Sequence, residues 1–204
     1  MCRHRLLVAR MSLGAIAAFV IPGFSLAAGL PNPFFVMDTA FVDTLTGREP
    51  VILKLRFLAE TAKANGLKLA LYPHTARWTA RFGDATKLAK VVNHPSCGVT
   101  FNLCHCLATG DEEKIPALLE EARSVLFLVT INGVDSCRNG PVPVTRFVQR
   151  LDQGTFDVGI VLRKLRKIDY TGPIGFQGAS VPGSVRSILA STREAWKKLS
   201  AATN

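Results

Sequence analysis

The feature that most constrains this chain is a repeated alternation of short, continuously apolar runs with longer stretches of helical period. An apolar run with no polar alternation is a strand covered on both faces, and strands of that kind come from parallel sheets. Five runs qualify: Pro33–Asp38, Leu67–Leu71, Gly98–Phe101, Val125–Ile131 and Pro173–Gln177. Between them lie apolar positions at helical spacing: Val51, Ile52, Leu55, Leu58, Ala59 and Ala62; then Ala85, Leu88, Ala89 and Val92; then Ile115, Leu118, Leu119 and Ala122. A fourth helix is expected around Phe156–Ile168, and a fifth from Ser184 with Val185, Ile188, Leu189 and Leu199 on its buried side. Asn65-Gly66 reads as a helix stop, and Asp84 and Asp111 read as N-caps. The expectation is an α/β fold of five parallel strands with outer helices.

Residues 1–28 are set apart from that pattern. Arg3, Arg5 and Arg10 precede an uncharged stretch, Met11 to Ala28, which ends in small residues, and the first acidic residue is Asp38. A basic start, an apolar run and a small-residue end are the parts of an export signal. The chain is therefore expected to be exported, periplasmic or extracellular, with 29–204 as its folded domain. An uncleaved membrane anchor is the lesser alternative, because the run is short for a span and is broken at Pro22-Gly23.

Without those three arginines the net charge falls from +10 to +7. The remaining cations are scattered, with no basic stripe interleaved with aromatics, so no nucleic-acid partner is expected. Cys97, Cys104, Cys106 and Cys137 lack metal-type spacing. Cys104 and Cys106 read as packing residues, with a disulfide among the four left open. Trp78 and Trp196 read as core or interface anchors.

In parallel α/β folds ligands bind where the loops converge, at the carboxyl ends of the strands. The polar residues collect there: Asp38, then Tyr72 and His74, then Asn102 and His105, then Thr130, Asn132 and Asp135, with Arg138 beyond, and finally Gln177. Imidazoles suit proton transfer near neutral pH, which makes His74 and His105 the catalytic candidates. Tyr72, Asn102, Thr130, Asn132, Asp135, Arg138 and Gln177 are the substrate-binding candidates. No glycine-rich phosphate loop, GxSxG elbow or HExxH occurs.

Four of these segments, Leu69–His74, Gly98–His105, Val129–Asp135 and Gly172–Gln177, together resemble the sugar phosphate isomerase/epimerase family with the xylose isomerase-like TIM barrel, in its exported branch. The similarity covers roughly residues 33–200. It implies a small carbohydrate or sugar phosphate as partner, and one divalent metal (Mn, Mg or Zn) held by Glu, Asp, His and Glu at four strand ends. Carried onto this chain, those positions fall on Tyr72, Asn102, Thr130 and Gln177. None is a carboxylate or an imidazole, so no residue is assigned as a metal ligand. His105 falls at the family's substrate-side histidine, and His74 follows the first ligand position.

A complete barrel of this kind has eight strands. Here the first strand resembles the family's strand one and the next its strand five, so about three strand–helix units are missing between Ala40 and Pro50. The expectation is a partial (β/α) barrel with two sheet edges exposed, which either pairs with another copy as a homo-oligomer to cover them or folds poorly. Functionally it is a sugar isomerase/epimerase-like protein. The alternatives are a non-catalytic carbohydrate-binding relative or an inactive fragment.

Overall fold

The computed structural model describes residues 34–38 and 48–203, apart from Ala76 and Asn139. The expected signal segment, and the stretch where strand–helix units are missing up to residue 47, lie outside the described residues. Strand β1 (Phe34–Asp38) is followed by helix α1 (Arg48–Ala64), β2 (Lys68–Tyr72), α2 (Phe82–Val92) and β3 (Cys97–Asn102). Then come α3 (Leu103–Ala108), α4 (Ile115–Ala122), β4 (Leu126–Ile131), α5 (Gly159–Lys167), β5 (Ile174–Phe176) and α6 (Val185–Ala202). The five strands form one sheet in the order β1-β2-β3-β4-β5, and every neighbouring pair is parallel.

Sequential order in a parallel sheet puts every crossover helix on the same face. The helices indeed pack in chain order, α1 on α2, α2 on α4, α4 on α5 and α5 on α6. Alternate strand residues face this layer: Leu69 and Leu71; Cys97, Val99 and Phe101; Val129 and Ile131. Phe101 meets Phe82 of α2 edge-to-face, with ring centroids 5.1 Å apart. Since strand side chains alternate, Ala70, Tyr72, Thr100, Asn102 and Thr130 share the opposite face, which is the interior face of a barrel. The architecture is five units of a (β/α) barrel.

Several expectations are refined. Asn65-Gly66 does stop α1: Gly66 adopts φ +67°, and the Leu67 N–H returns to the Ala62 carbonyl at 2.8 Å. Ser184 caps α6 by accepting from the Ser187 N–H at 3.2 Å. Asp84, however, does not cap α2. The helix begins two residues earlier, at Phe82, because that ring seals the helix–sheet interface. Asp111 does not cap by its side chain either; its carboxylate is taken by cations. Val185 and Leu189 are 72% and 42% exposed, so the buried stripe of α6 runs instead through Ile188, Thr192, Ala195, Trp196 and Leu199. Trp78 is half exposed, whereas Trp196 packs against the core. The four cysteines from Cys97 onward are free thiols.

The β3–β4 register shifts between Val99 and Thr100. Beside it the Val125 carbonyl oxygen and the Phe127 ring close over Gly98, where a Cβ would lie 2.4 and 2.5 Å from them. Only glycine fits beneath that ring.

Candidate functional site at the strand ends

Residues 102–105 read as the end of a strand in sequence, but the chain turns there into the short helix α3. Asn102 is its N-cap. The Asn102 Oδ1 accepts from the His105 backbone N–H at 3.2 Å and from the Cys104 thiol at 2.9 Å. Capping explains the turn: the side-chain oxygen satisfies a donor that the first helical turn leaves unpaired. It also fixes which way the amide points. With Oδ1 turned to α3, Nδ2 faces away and donates to the Tyr72 phenol oxygen at 2.6 Å.

The same turn throws His105 back toward β2. Its ring lies 4.1 Å from that of His74, centroid to centroid, and stands edge-on to Tyr72 at 5.7 Å. Thr75 ties both imidazoles. Its carbonyl is 2.6 Å from His74 Nδ1, and its hydroxyl 3.3 Å from His105 Nδ1. A carbonyl only accepts, so His74 Nδ1 carries a proton, and in the neutral ring the lone pair sits on Nε2. Thr130 is the register neighbour of Asn102 on the same face, and its hydroxyl donates to the Phe101 carbonyl at 3.3 Å.

The structure thus gathers Tyr72, His74, Asn102, His105 and Thr130 at adjacent ends of β2, β3 and β4. The other candidates are bound elsewhere. Asn132 is fully buried and donates to the Gly133 and Phe147 carbonyls at 2.7 and 2.8 Å. Its Oδ1 is buried without a hydrogen-bond partner among the described residues. Asp135 receives two hydrogen bonds from Arg146, at 2.7 and 3.1 Å, and one from Gln149 at 3.2 Å. The Arg146 guanidinium holds the Asp135 carboxyl below the usual carboxylate range. Arg138 faces Glu112 at 3.4 Å and Glu113 at 3.8 Å. Gln177 follows β5, its backbone N–H bonded to the Ile131 carbonyl at 2.9 Å. Asp38 ends β1, and its side chain lies outside what is described.

Sequence reasoning passed over Thr75, which links the two imidazoles, and Cys104, which shares the Asn102 oxygen. It also passed over Arg81, which grips Asp111 behind the site. A hydroxyl residue directly after His74 was the one signal available for Thr75. A recess of about 540 Å³ lies apart from this cluster, between α6 and residues 151–158. Its carboxylates Asp152, Asp157 and Glu194 are already paired with Arg150, Arg163 and Lys197.

The family's metal can be tested against these side chains. Among the described residues no group of three His, Cys, Asp or Glu could hold a metal ion. The atom that Asn102 presents toward Tyr72 is an N–H donor, which repels a cation. The donor set at Tyr72, Asn102 and Thr130 therefore does not fit a divalent ion.

Among curated proteins no sequence matches the chain. Solved structures do. The chain resembles a xylose isomerase-like TIM barrel/4-hydroxyphenylpyruvate dioxygenase fusion protein with TM-score 0.66 and 18% identity, over 83% of this chain and 28% of that one. It resembles the IolI protein with a bound zinc atom at TM-score 0.64 and 17% identity, covering 77% and 57%. It also resembles the apo form of 3-keto-D-glucoside 4-epimerase from E. coli, at TM-score 0.60 and 18% identity, covering 81% and 63%. The chain thus spans less than two thirds of the length of each of these three. At these identities the likeness shows the fold, in keeping with five strands of a larger barrel. The family model described as xylose isomerase-like TIM barrel matches residues 11–198, nearly the whole chain, and to that family the chain belongs.

Proposed function

We propose that this chain binds a small carbohydrate at the carboxyl ends of its strands and acts on it as a sugar isomerase or epimerase. The observation that carries the reading is the pairing of His74 and His105, with rings 4.1 Å apart, beside the Asn102–Tyr72 hydrogen bond. Isomerisation moves a proton between a carbon and its neighbour next to a carbonyl. With Nδ1 committed to the Thr75 carbonyl, His74 Nε2 is the base that takes the C–H proton. The C–H electron pair forms the double bond of an enediol, and the carbonyl oxygen receives a proton from His105. To finish, the enediol takes the proton from His74 at the other carbon, or at the same carbon once the intermediate has turned its other face to His74, while the enediol oxygen that becomes the carbonyl returns a proton to His105. Asn102, Tyr72 and Thr130 would hold sugar hydroxyls, since each offers a hydroxyl or amide at one sheet end.

The similarity to a 3-keto-D-glucoside 4-epimerase supports this class of substrate. Binding without turnover is a second reading. It is favoured by the lack of any carboxylate at Tyr72, Asn102, Thr130 and Gln177. Incubation with aldoses, ketoses and their phosphates in D2O, with chelator present, separates the two by NMR. Deuterium entering the sugar, and its loss in His74→Gln, supports the enzyme. Saturation transfer from protein to sugar with no exchange supports the binder, and neither signal refutes both.

The proposal includes export through residues 1–28, checked by sequencing the N-terminus of secreted material. Among the described residues no helix is long and apolar enough to cross a membrane. It also includes self-association over the outer edges of β1 and β5, where a light-scattering mass of one chain at working concentration would refute it.

A further inference from the structure

In Asn102 the two ends of one amide have separate duties. Its oxygen is the N-cap of α3, held by the His105 N–H at 3.2 Å and the Cys104 thiol at 2.9 Å. Its nitrogen is the donor to Tyr72 at 2.6 Å. The residue is 2% exposed, so it has no solvent to turn into, and rotating the amide would set N–H against N–H at the helix start. A carboxylate at this position would cap α3 with one oxygen and leave the other for a cation. The amide keeps the cap and converts the second atom from acceptor to donor.

Tyr72 and Thr130, on the same sheet face, are neutral hydroxyl residues, and the Thr130 hydroxyl already points its proton at the Phe101 carbonyl. From this geometry we infer that the position the family gives to a divalent metal is closed in this chain by a neutral hydrogen-bonded pair, Asn102 with Tyr72, and takes no cation. The Asn102 N–H is spent on the Tyr72 oxygen at 2.6 Å, so a cation at this position would meet a donor within a closed hydrogen bond. Capping of α3 locks that arrangement. The inference does not depend on the carbohydrate reading.

The test is equilibrium dialysis of the full chain against Mn²⁺ and Zn²⁺ with metal analysis, run beside sugar binding measured calorimetrically. The expected result is that Asn102→Ala leaves the metal content of the wild type unchanged, and that EDTA does not move the wild-type unfolding midpoint. Asn102→Asp combined with Tyr72→Glu should take up about one metal per chain, because it puts two carboxylates where the Asn102–Tyr72 hydrogen bond now closes the position. Wild-type protein holding one metal per chain that Asn102→Ala releases would overturn the inference. So would a folded double variant that takes up none.

Asn102→Asp alone is isosteric and keeps the cap, so it serves where the double variant fails to fold. It should hold more metal than wild type at the same free concentration, because an acceptor replaces the amide donor, and metal content equal to the wild type's would overturn the inference. Absence of sugar binding in every protein, with the metal results as expected, would refute the carbohydrate reading and leave the conversion standing.

Discussion

Arg81 reaches from the start of α2 to Asp111, at the α3–α4 junction, and one guanidinium nitrogen lies 2.8 and 2.7 Å from the two carboxylate oxygens. Lys114 adds a contact at 3.1 Å and the Thr109 hydroxyl one at 3.2 Å. The next residue, Glu112, accepts from Ser136 Oγ at 2.6 Å and the Cys137 N–H at 2.7 Å. Two consecutive buried carboxylates thus tie the loops after β2 and β4 to the segment that follows α3. Replacing Asp111 by Ala leaves Arg81 and Lys114 without their counter-ion. Those cations are exposed and water can solvate them, so the larger loss in urea unfolding, about 2 kcal/mol, should come from Arg81→Ala, which strands the buried carboxylate.

The same pair sets a pH dependence. Burial pushes the Asp111 carboxyl up, but hydrogen bonds from Lys114 and Arg81 outweigh it and hold the group below its ordinary value. A carboxyl depressed in the folded state stabilises fully above the unfolded value of about 3.9 and loses that contribution as pH falls through the lower, folded value. Acid titration of stability should therefore fall more steeply in wild type than in Asp111→Asn across that window. Parallel curves would contradict the assignment.

Much of this was legible beforehand, for a physical reason. Parallel strands buried on both faces must be apolar throughout, and polar residues at their carboxyl ends have few structural reasons to be there. That logic marked Tyr72, His74, Asn102, His105 and Thr130, which the structure gathers. It could not show that Asn102 starts a helix, because Leu103, Cys104, Cys106 and Leu107 are apolar enough to continue a strand. Nor could it show that Asp135 is spent on Arg146, since the partner lies across a loop whose path no local pattern fixes. Val185 and Leu189 misled for a related reason: apolar spacing marks a helix face, not the neighbour that covers it.

Thr75→Val distinguishes the two imidazoles. The substitution removes the hydroxyl beside His105 Nδ1 but keeps the carbonyl that orients His74. In NMR spectra of the ring nitrogens the His105 signals should move while those of His74 stay. Equal movement of both would mean that the hydroxyl supports the pair as a unit.

The thiols should be inert in the native protein. Burial raises Cys97 to about 12, and it likewise raises Cys104 and Cys106 to about 12. The reactive thiolate is then a negligible fraction at neutral pH. A disulfide-exchange reagent should leave these three unmodified until the chain is unfolded, when they react together. Rapid labelling of any of them, located by peptide mass, would refute the packing described.

Close backbone approach decides the last case. Gly133 continues from Asn132 and exchanges hydrogen bonds with Gln149, at 3.1 and 2.8 Å. A Cβ on Gly133 would lie 1.9 Å from the Arg150 carbonyl oxygen and 2.4 Å from that of Gln153. Backbone cannot rotate aside as a side chain can, so Gly133→Ala must part the two segments and carry Phe147 away from Asn132. The expected loss is upwards of roughly 3 kcal/mol, the range of substitutions that overpack a site and break buried hydrogen bonds. Gly110 is the control: it has φ +75° and open space around its Cβ position. Gly110→Ala should therefore cost only the left-handed backbone penalty, about 1 kcal/mol. Thermal unfolding of the two variants side by side measures the difference; Gly133 does not adopt a positive φ, so equal losses would contradict the close approach of the Arg150 carbonyl.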